Sequence, residues 1–186
     1  MTTAIVETLT NPPQSSHMVY PYSDESQIVD AVSLFATVGF QRGEGVMLVM
    51  TSIHCGPIRQ RLEAEGFNLS ELEASGKLIC EDAAYLLSTF MVDGILDEHK
   101  FKNTIVGMIQ KAKKGGGGRR RPVRAFAEMV DLLWKTDRKT TKRLEDLLNE
   151  VMETESVCLL CAYWLHGTKL TDFPEELLAR HSHTVS

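Results

Sequence analysis

A single carboxylate closes an apolar stretch in the middle of the chain. The sequence RPVRAFAEMVDLLW, residues 121–134, starts as a short buried strand that ends in Glu128 and continues as a helical run. A carboxylate among apolar neighbours is costly unless it is hydrogen-bonded or paired, and ligands of open α/β sheets bind at the carboxyl ends of the strands. Glu128 is therefore a candidate binding residue or general base, or else a structural carboxylate paired with Arg124 or a neighbouring amide.

Polar and aromatic residues also stand at the ends of other predicted strands. The first strand, HMVYPY, begins with His17 and ends with two tyrosines, and the last strand, residues 156–164, ends near Tyr163. In a parallel sheet the carboxyl ends meet and form a mixed aromatic and acidic rim, which suits a small organic ligand. The alternative is that the rings only close the end of the sheet while the acids face water. The candidate ligand-binding residues are His17, Tyr20, Tyr22, Thr51, Asp82, Glu128, Tyr163 and His166.

The loops after the strands lack the signature of a phosphate site. Such a site needs a glycine-rich loop after a strand and a lysine that neutralises charge. The chain reads YPYSDESQ at the end of the first strand and TSIHCGP after the second, and neither contains lysine. A nucleotide hydrolase is therefore disfavoured, although a bare helix start near Ser23 or Ser52 could hold an anion. No G-x-S-x-G motif is present, and we assign no catalytic residue.

The cysteines and histidines do not form a recognisable metal-binding motif. Cys158 and Cys161 make a C-x-x-C inside an apolar strand, where residues three apart point to opposite faces. We expect reduced, structural thiols, and we predict no metal and no cofactor. Two pairs could be imagined as metal ligands without the spacing of a strong motif: His54 with Cys55, and His17 with His166.

Seven lysine and arginine residues lie within residues 111–124, around the run GGGGRRR. A basic patch on a chain of net charge −5 could contact an acidic partner or nucleic acid. No aromatic residues alternate with the cations for base stacking, so direct nucleic-acid binding is disfavoured. Arg119, Arg120 and Arg121 are the candidate partner-binding residues, and the alternative is a solvated surface loop.

Strands that alternate with helices predict how these residues are positioned. The continuous apolar run VMLVM is typical of a strand buried on both faces. We predict an α/β fold of three layers, with a mostly parallel central sheet and helices on both faces. The expected organisation is a disordered tail at residues 1–15, one domain at residues 16–170, and a short helix with a flexible tail at residues 171–186, which contains His181 and His183.

The composition is that of a single globular domain. The 186 residues are 43% hydrophobic and 24% charged, as is ordinary for globular proteins, and no run of 18 apolar residues suggests a transmembrane helix. The first 17 residues contain no lysine or arginine and no apolar core of a signal peptide. We expect a cytoplasmic protein that contacts no membrane and that could form a homo-oligomer.

Three segments resemble the MEDS family, the methanogen/methylotroph DcmR sensory domain. They are the opening HMVYPY, the central RPVRAFAEMVDLLW and the closing CLLCAYW, and with their spacing they cover about residues 15–168. The resemblance implies a KaiC/RecA-like fold with a degenerate P-loop, which agrees with the missing lysine. The chain departs from the family pattern at Pro21, at Ala127, where glycine is usual, and in the GGGGRRR insertion.

The resemblance also implies a sensory role, because MEDS domains occur joined to histidine kinases or DNA-binding regulators and their proposed ligands are small hydrocarbon derivatives. We therefore expect a sensory or regulatory domain, not an enzyme. It would bind a small ligand and signal to a regulatory partner protein, either a histidine kinase or a transcription regulator. The alternatives are a degenerate RecA-like nucleotide-binding protein and a pure protein-interaction module.

Overall fold

The computed structural model describes residues 1–115, 120–167 and 169–186. Its helices are α1 (Thr3–Thr10), α2 (Glu25–Gln41), α3 (Ser52–Ala64), α4 (Leu69–Ala74), α5 (Ala83–Phe90), α6 (Glu98–Lys114), α7 (Met129–Trp134), α8 (Arg138–Thr154) and α9 (Glu175–Leu178), and a short 3-10 helix spans Leu170–Asp172. Its strands are β1 (His17–Tyr22), β2 (Gly45–Met50), β3 (Leu78–Asp82), β4 (Met91–Val92), β5 (Ile95–Leu96), β6 (Val123–Ala127), β7 (Val157–Trp164) and β8 (His183–Thr184). Within these ranges, no helix combines the length and the hydrophobicity that a membrane span requires.

Six strands of the described chain form one sheet in the order β3-β2-β6-β7-β1-β8, and every neighbouring pair is parallel. Strands β4 and β5 form a separate antiparallel hairpin. The register aligns the strand ends, since Met50 lies opposite Asp82 and Tyr22 lies opposite Trp164. The last residues of these strands therefore share one edge of the sheet, the carboxyl edge, and their first residues share the amino edge.

Alternating side chains along each strand pack against helices on both faces of the sheet. Helices α1–α4 cover one face, where Ile28 of α2 and Ile58 of α3 are buried. Helices α5–α9 cover the other face, where Phe101 of α6 and Leu148 of α8 are buried. Burial on both sides explains why the strands are nearly continuous apolar runs. The predicted three-layer, mostly parallel α/β fold is confirmed.

The two cysteines of the C-x-x-C sequence point to opposite faces, as their spacing within a strand predicts. Cys158 packs on the face of α1–α4, and Cys161 packs on the face of α5–α9. Both are free thiols. The two sulfur atoms therefore cannot act together on one ligand.

Both ends of the chain depart from the prediction of disordered or flexible tails. Residues 1–15 contain helix α1, whose Leu9 is buried. Residues 171–186 contain the predicted short helix, α9, but also β8, which pairs with β1, and the buried Val185. Each segment buries too few residues to give a periodic pattern, and its partners lie far away in the sequence. The prediction of a disordered N-terminal tail was therefore wrong.

Arg124 of β6 explains how α1 is held in place. The side chain is 2% exposed and lies over the ring of Phe35 on the face of α1–α4. Its guanidinium donates to the carbonyl oxygens of Leu9 at 2.8 Å and Thr10 at 3.2 Å. It also pairs with Glu44 in the loop before β2. Because the last carbonyl groups of a helix have no partner within the helix, this one arginine caps α1 and joins it to the sheet.

Replacement of Arg124 by methionine tests this cap. The variant Arg124→Met leaves Glu44 and the carbonyl groups of α1 without their donor, so we expect the free energy of unfolding to fall by about 3–5 kcal/mol. Urea unfolding followed by circular dichroism measures the loss. Arg143→Met is the matched control, because Arg143 pairs with glutamates at the surface, where ion pairs contribute little. Equal losses in the two variants would contradict this role of Arg124.

Candidate functional site

Glu128 stands directly after β6 at the carboxyl edge and is 2% exposed. One carboxylate oxygen, Oε2, accepts hydrogen bonds from the backbone N–H of Thr51 at 2.7 Å and from the Thr51 hydroxyl at 3.2 Å. The other oxygen, Oε1, pairs with Nδ1 of His54. The sequence suggested two alternative structural partners for Glu128, Arg124 and a neighbouring amide, and the structure shows the amide, that of Thr51. The other, Arg124, pairs with Glu44 instead.

His54 lies in the first turn of α3 between two carboxylates. Its Nδ1 faces Glu128, and its Nε2 pairs with Glu25 from the start of α2. Burial alone lowers the pKa of His54, but the hydrogen bonds and charges of the two carboxylates outweigh burial and raise this pKa above its ordinary value. The two carboxylates therefore favour the protonated form of His54, which links α2, α3 and the end of β6. We call Glu25, Thr51, His54 and Glu128 the edge network.

The edge network lacks the geometry of a nucleophile with its base. The Thr51 hydroxyl lies 3.1 Å from Nδ1 of His54, but this nitrogen is already paired with Glu128, and Nε2 is paired with Glu25. A general base needs a ring nitrogen that is free to take the proton of the nucleophile. The network is suited to holding a proton between acids at the edge of the sheet.

Two aromatic rings border the edge network on the side of β1 and β7. Tyr22 stands edge-on to Trp164 with ring centres 5.1 Å apart, and its ring centre lies 6.0 Å from that of His54. Burial, together with the charge of Glu128, raises the pKa of Tyr22 far above its ordinary value, so this phenol stays neutral. The carboxyl edge thus joins neutral aromatic rings to a charged network.

A cavity of about 400 Å³ lies beside the carboxyl end of β1. This open cavity is lined by residues of β1, by α1, by Gln27 of α2, and by segments that follow β7 and β8. Most of the lining is apolar, and among the described residues no charged side chain contributes to it. We call it the carboxyl-edge cavity, and its lining residues are Met1, Thr2, Ile5, Tyr20, Pro21, Ser23, Gln27, Leu165, Leu170, Val185 and Ser186.

A second cavity, of about 510 Å³, opens at the amino edge of the sheet. Its lining includes Arg42, Lys113, Arg120 and Arg121, together with one acid, Glu44, which pairs with Arg124. The cations outnumber the acid, so the cavity suits an anionic group better than an apolar one. We call it the amino-edge cavity. Of the predicted partner-binding residues, Arg120 and Arg121 lie here, and Arg119 lies outside the described residues.

Four side chains that can bind metal ions meet between the sheet and α8. They are His17, Glu145, Cys161 and His181, and one ligand atom from each lies within 4.8 Å of the others. Glu145 is completely buried, and the rings of the two histidines are 4.2 Å apart. Tyr163 donates its hydroxyl hydrogen to Glu145. We call the four residues the buried cluster.

The carboxylate is the charged member of the buried cluster. Burial alone raises the pKa of Glu145, but the rings of His17 and His181 outweigh burial and hold this pKa well below its ordinary value. Burial raises the pKa of the Cys161 thiol and of the Tyr163 hydroxyl well above their ordinary values, and the charge of Glu145 adds to both shifts. The thiol and the phenol therefore stay protonated around a carboxylate.

The predicted ligand-binding residues are divided among several places. Asp82 caps α5 by accepting a hydrogen bond from the N–H of Tyr85 at 2.7 Å, and His166 is exposed beyond β7. Thr51 and Glu128 belong to the edge network, and Tyr22 packs against it. Tyr20 lines the carboxyl-edge cavity. His17 belongs to the buried cluster, and Tyr163 donates a hydrogen bond to it.

Two of these residues do not lie at the expected rim. His17 begins β1 and therefore stands at the amino edge. Tyr163 lies close to the carboxyl end of β7, but its side chain points towards α8 because alternate residues of a strand face opposite layers. His166, which could be imagined as a metal ligand together with His17, is exposed beyond β7. The histidine beside His17 is His181, which was expected in a flexible tail.

Sequence reasoning missed two acids of these sites and the partners of one histidine. It did not single out Glu25 or Glu145, and it paired His54 only with Cys55. Glu145 did carry a signal, because it lies three residues before Leu148 on the buried face of α8. The partners of Glu25 and His54 come from different helices, and no spacing along the chain indicates such a contact.

Comparison with known proteins identifies the family. The sequence model described as the methanogen/methylotroph, DcmR sensory domain, MEDS, matches residues 16–184. The chain belongs to the MEDS family. This confirms the resemblance found in the three segments, and the family indicates a sensory or regulatory role for the domain. No curated protein matches the chain at a significant level.

A solved structure supports the fold of this MEDS domain. The KaiC-like protein from the hyperthermophilic archaeon Pyrococcus horikoshii OT3 superimposes with a TM-score of 0.61, and the match covers 92% of this chain and 72% of that one. The two sequences are 12% identical, so the likeness concerns the fold alone. It confirms the predicted KaiC-like architecture.

The raised pKa of His54 predicts a pH-dependent stability. The edge network contributes its full stabilisation below the pKa of an unfolded histidine, about 6.5, and loses it as the pH rises through the higher pKa of the folded chain. The variant His54→Gln lacks the titrating group. As the pH rises from 6 into the alkaline range, the free energy of unfolding of this variant should therefore fall less than that of the wild type. Urea unfolding over a series of pH values measures this difference.

His99→Gln is the control for this experiment, because His99 is exposed on α6 and contacts no acid of the edge network. Its pH dependence should follow that of the wild type. A His54→Gln profile parallel to the wild type would show that His54 is not held protonated by Glu25 and Glu128.

Proposed function

We propose that this MEDS domain binds a small, largely apolar organic molecule in the carboxyl-edge cavity and signals its presence to a regulatory partner protein. The observation that carries the proposal is the cavity itself, with about 400 Å³, apolar walls and a few polar groups. Small-molecule sites commonly have about 300–1,000 Å³ and a similar mixture of groups. The cavity also lies at the carboxyl edge of a parallel sheet, where ligands of such folds bind.

The few polar groups of the cavity suit a neutral ligand with one oxygen or halogen atom. Burial raises the pKa of Tyr20 above its ordinary value, so its hydroxyl is a neutral donor. This hydroxyl donates to the backbone carbonyl of Gln27 at 3.4 Å, which is long for an O–H donor. A ligand oxygen could therefore compete for the Tyr20 hydroxyl. The surrounding Ile5 and Leu165 would contact the hydrocarbon part.

A chain of direct contacts connects the cavity to the edge network. Tyr20 stacks on Tyr22 with ring centres 6.3 Å apart, and Tyr22 contacts His54. A ligand against Tyr20 would thus bias the position of Tyr22 and the protonated His54 beside it. Ile5 and Val185 bring the two terminal segments to the same cavity, so ligand binding would also restrain α1 and β8.

The partner protein is expected to be acidic where it contacts this domain. Arg42, Lys113, Arg120 and Arg121 are gathered at the amino-edge cavity, and opposite charges steer association. A histidine kinase or a transcription regulator with an acidic contact surface fits this arrangement. The amino-edge cavity is at the opposite edge of the sheet from the ligand, so partner and ligand would not compete for space.

The start of α2, at the carboxyl edge, does not favour a nucleotide. At the start of α2, the N–H of Ser23 donates to the side chain of Gln27, and Asp24 accepts from the N–H of Ser26. Glu25 follows directly. Carboxylates thus occupy the place where a phosphate would need free amide groups and positive charge.

Filling the cavity tests the proposal. The probe is n-hexanol, titrated into the isotope-labelled full chain and followed by amide chemical shifts in nuclear magnetic resonance. Wild-type chain should show saturable shifts at Tyr20, Gln27 and Leu165. Ile5→Trp should occupy the cavity with its indole ring and weaken binding by at least about tenfold, equivalent to about 1.4 kcal/mol.

Val6→Trp is the matched control, because Val6 is the next residue of α1 and is exposed. It should bind n-hexanol like the wild type. Shifts that never saturate, or equal affinities in Ile5→Trp and Val6→Trp, would remove the carboxyl-edge cavity as the ligand site.

A further inference from the structure

The buried cluster brings together the number and kinds of side chains that a four-coordinate metal site requires. Nε2 of His17 lies 3.2 Å from Oε2 of Glu145 and 3.3 Å from Sγ of Cys161. The distance from Sγ to Oε2 of Glu145 is 3.9 Å, and Nε2 of His181 lies 3.5 Å from Oε1 of the same carboxylate. Bonds of about 2.0–2.3 Å around a tetrahedral zinc ion place neighbouring donor atoms about 3.3–3.6 Å apart. The two distances from Nε2 of His17 are close to this range, and the four ligand atoms as a whole lie within 4.8 Å of one another, so the cluster would contract slightly around an ion.

Both histidines are oriented by a hydrogen bond from the far side of the ring. Nδ1 of His17 lies 2.9 Å from Oδ1 of Asn149, and Nδ1 of His181 lies 2.8 Å from the carbonyl oxygen of Leu177. The Asn149 amide is oriented in turn, because its Nδ2 donates to the carbonyl oxygen of Arg180 at 2.9 Å. Because both acceptors are oxygens, Nδ1 carries the proton in a neutral ring and Nε2 presents its lone pair to the cluster. Histidines that ligate metal ions are usually held in this way.

One of the potential metal-ligand atoms, Nε2 of His181, has no hydrogen bond to the described residues. The side chain of His181 is 0% exposed, and its Nε2 has no hydrogen-bond partner in the described chain. When neither ring carries a second proton, the lone pairs of the two Nε2 atoms face carboxylate oxygens, which are also acceptors. A buried arrangement of acceptors facing one another is costly. A cation at the centre would satisfy all of them.

We propose that His17, Glu145, Cys161 and His181 form a zinc site. Two imidazole nitrogens, one sulfur and one carboxylate are ligands that zinc accepts, and four protein ligands complete its tetrahedral shell. Magnesium and calcium require oxygen ligands and fit poorly. On binding, the Cys161 thiol releases its proton to solvent and the sulfur binds as thiolate. Tyr163 remains outside the shell as a donor to Glu145.

The site is structural and not catalytic, because no position remains for water or substrate. Its ligands come from the start of β1, from α8, from the middle of β7 and from the segment after α9. Zinc would therefore fasten residues 175–185 to the sheet. The inference does not depend on ligand binding in the carboxyl-edge cavity, and the two can fail separately.

Metal binding by the full chain is the direct test. After removal of metal with a chelator, Zn²⁺ is titrated in a calorimeter, and Co²⁺ is added to a second sample for absorption spectroscopy. We expect one Zn²⁺ per chain and a higher melting temperature, because a ligand of the native state stabilises it. Co²⁺ should give the visible bands of a tetrahedral ion and a thiolate charge-transfer band.

Matched variants distinguish the buried cluster from binding elsewhere. Cys161→Ser and His181→Gln each remove a ligand. Loss of an outer-shell partner alone costs about 10–100-fold in affinity, so each should weaken Zn²⁺ binding by at least that factor. Cys158→Ser and His183→Gln are the controls, because Cys158 faces the opposite layer and His183 is exposed. Both should bind like the wild type.

The cobalt spectrum keeps the proposal testable if a ligand variant fails to fold, because it needs only the wild-type chain. A tetrahedral spectrum with a thiolate band supports the site. An octahedral spectrum without this band overturns it. Failure of the wild type to bind Zn²⁺ in a one-to-one ratio, or unchanged affinity in Cys161→Ser, overturns it as well.

Discussion

A charge buried in or against a sheet that is covered on both faces is costly unless other elements supply its partners. In the described chain this applies to Arg124, Glu128 and Glu145. Arg124 takes its partners from α1 and the loop before β2, and Glu128 takes one from α3. Glu145 takes its partners from β1, from β7 and from the segment after α9. Apolar packing is non-directional, so these pairs decide where the helices and the terminal segments lie against the sheet.

The layers of the fold were predictable from the sequence because they depend on local patterns. Continuous apolar runs predicted the strands, and apolar residues at helical spacing predicted the long helices. Because alternate residues of a strand face opposite sides of the sheet, the sequence also predicted that Cys158 and Cys161 point to different faces. Helix α1 was not predictable, since its capping donor, Arg124, is 115 residues away from Leu9. The buried cluster was missed for the same reason, because its four members come from four distant segments. At the carboxyl edge, strand ends correctly indicated that Tyr22, Thr51 and Glu128 would be neighbours, but not that His54 would join two acids there.

The C-terminal segment connects the features that we propose to be functional. It carries His181 into the buried cluster and Val185 into the wall of the carboxyl-edge cavity, while β8 extends the sheet next to β1. Tyr20 lies in β1 and also lines the carboxyl-edge cavity. A sensory domain needs an element whose position changes when the ligand binds. This segment is suited to that role, because one end is held in the core and the other borders the proposed ligand.

A crystal structure of the chain grown with n-hexanol would test the central claim most directly, because it locates the probe without assuming a site. The account predicts electron density for one molecule in the carboxyl-edge cavity, with its hydroxyl group near Tyr20 and its carbon atoms against Ile5 and Leu165. Density confined to the amino-edge cavity, or a carboxyl-edge cavity filled by the protein's own side chains, would contradict the claim that this edge of the sheet receives the ligand.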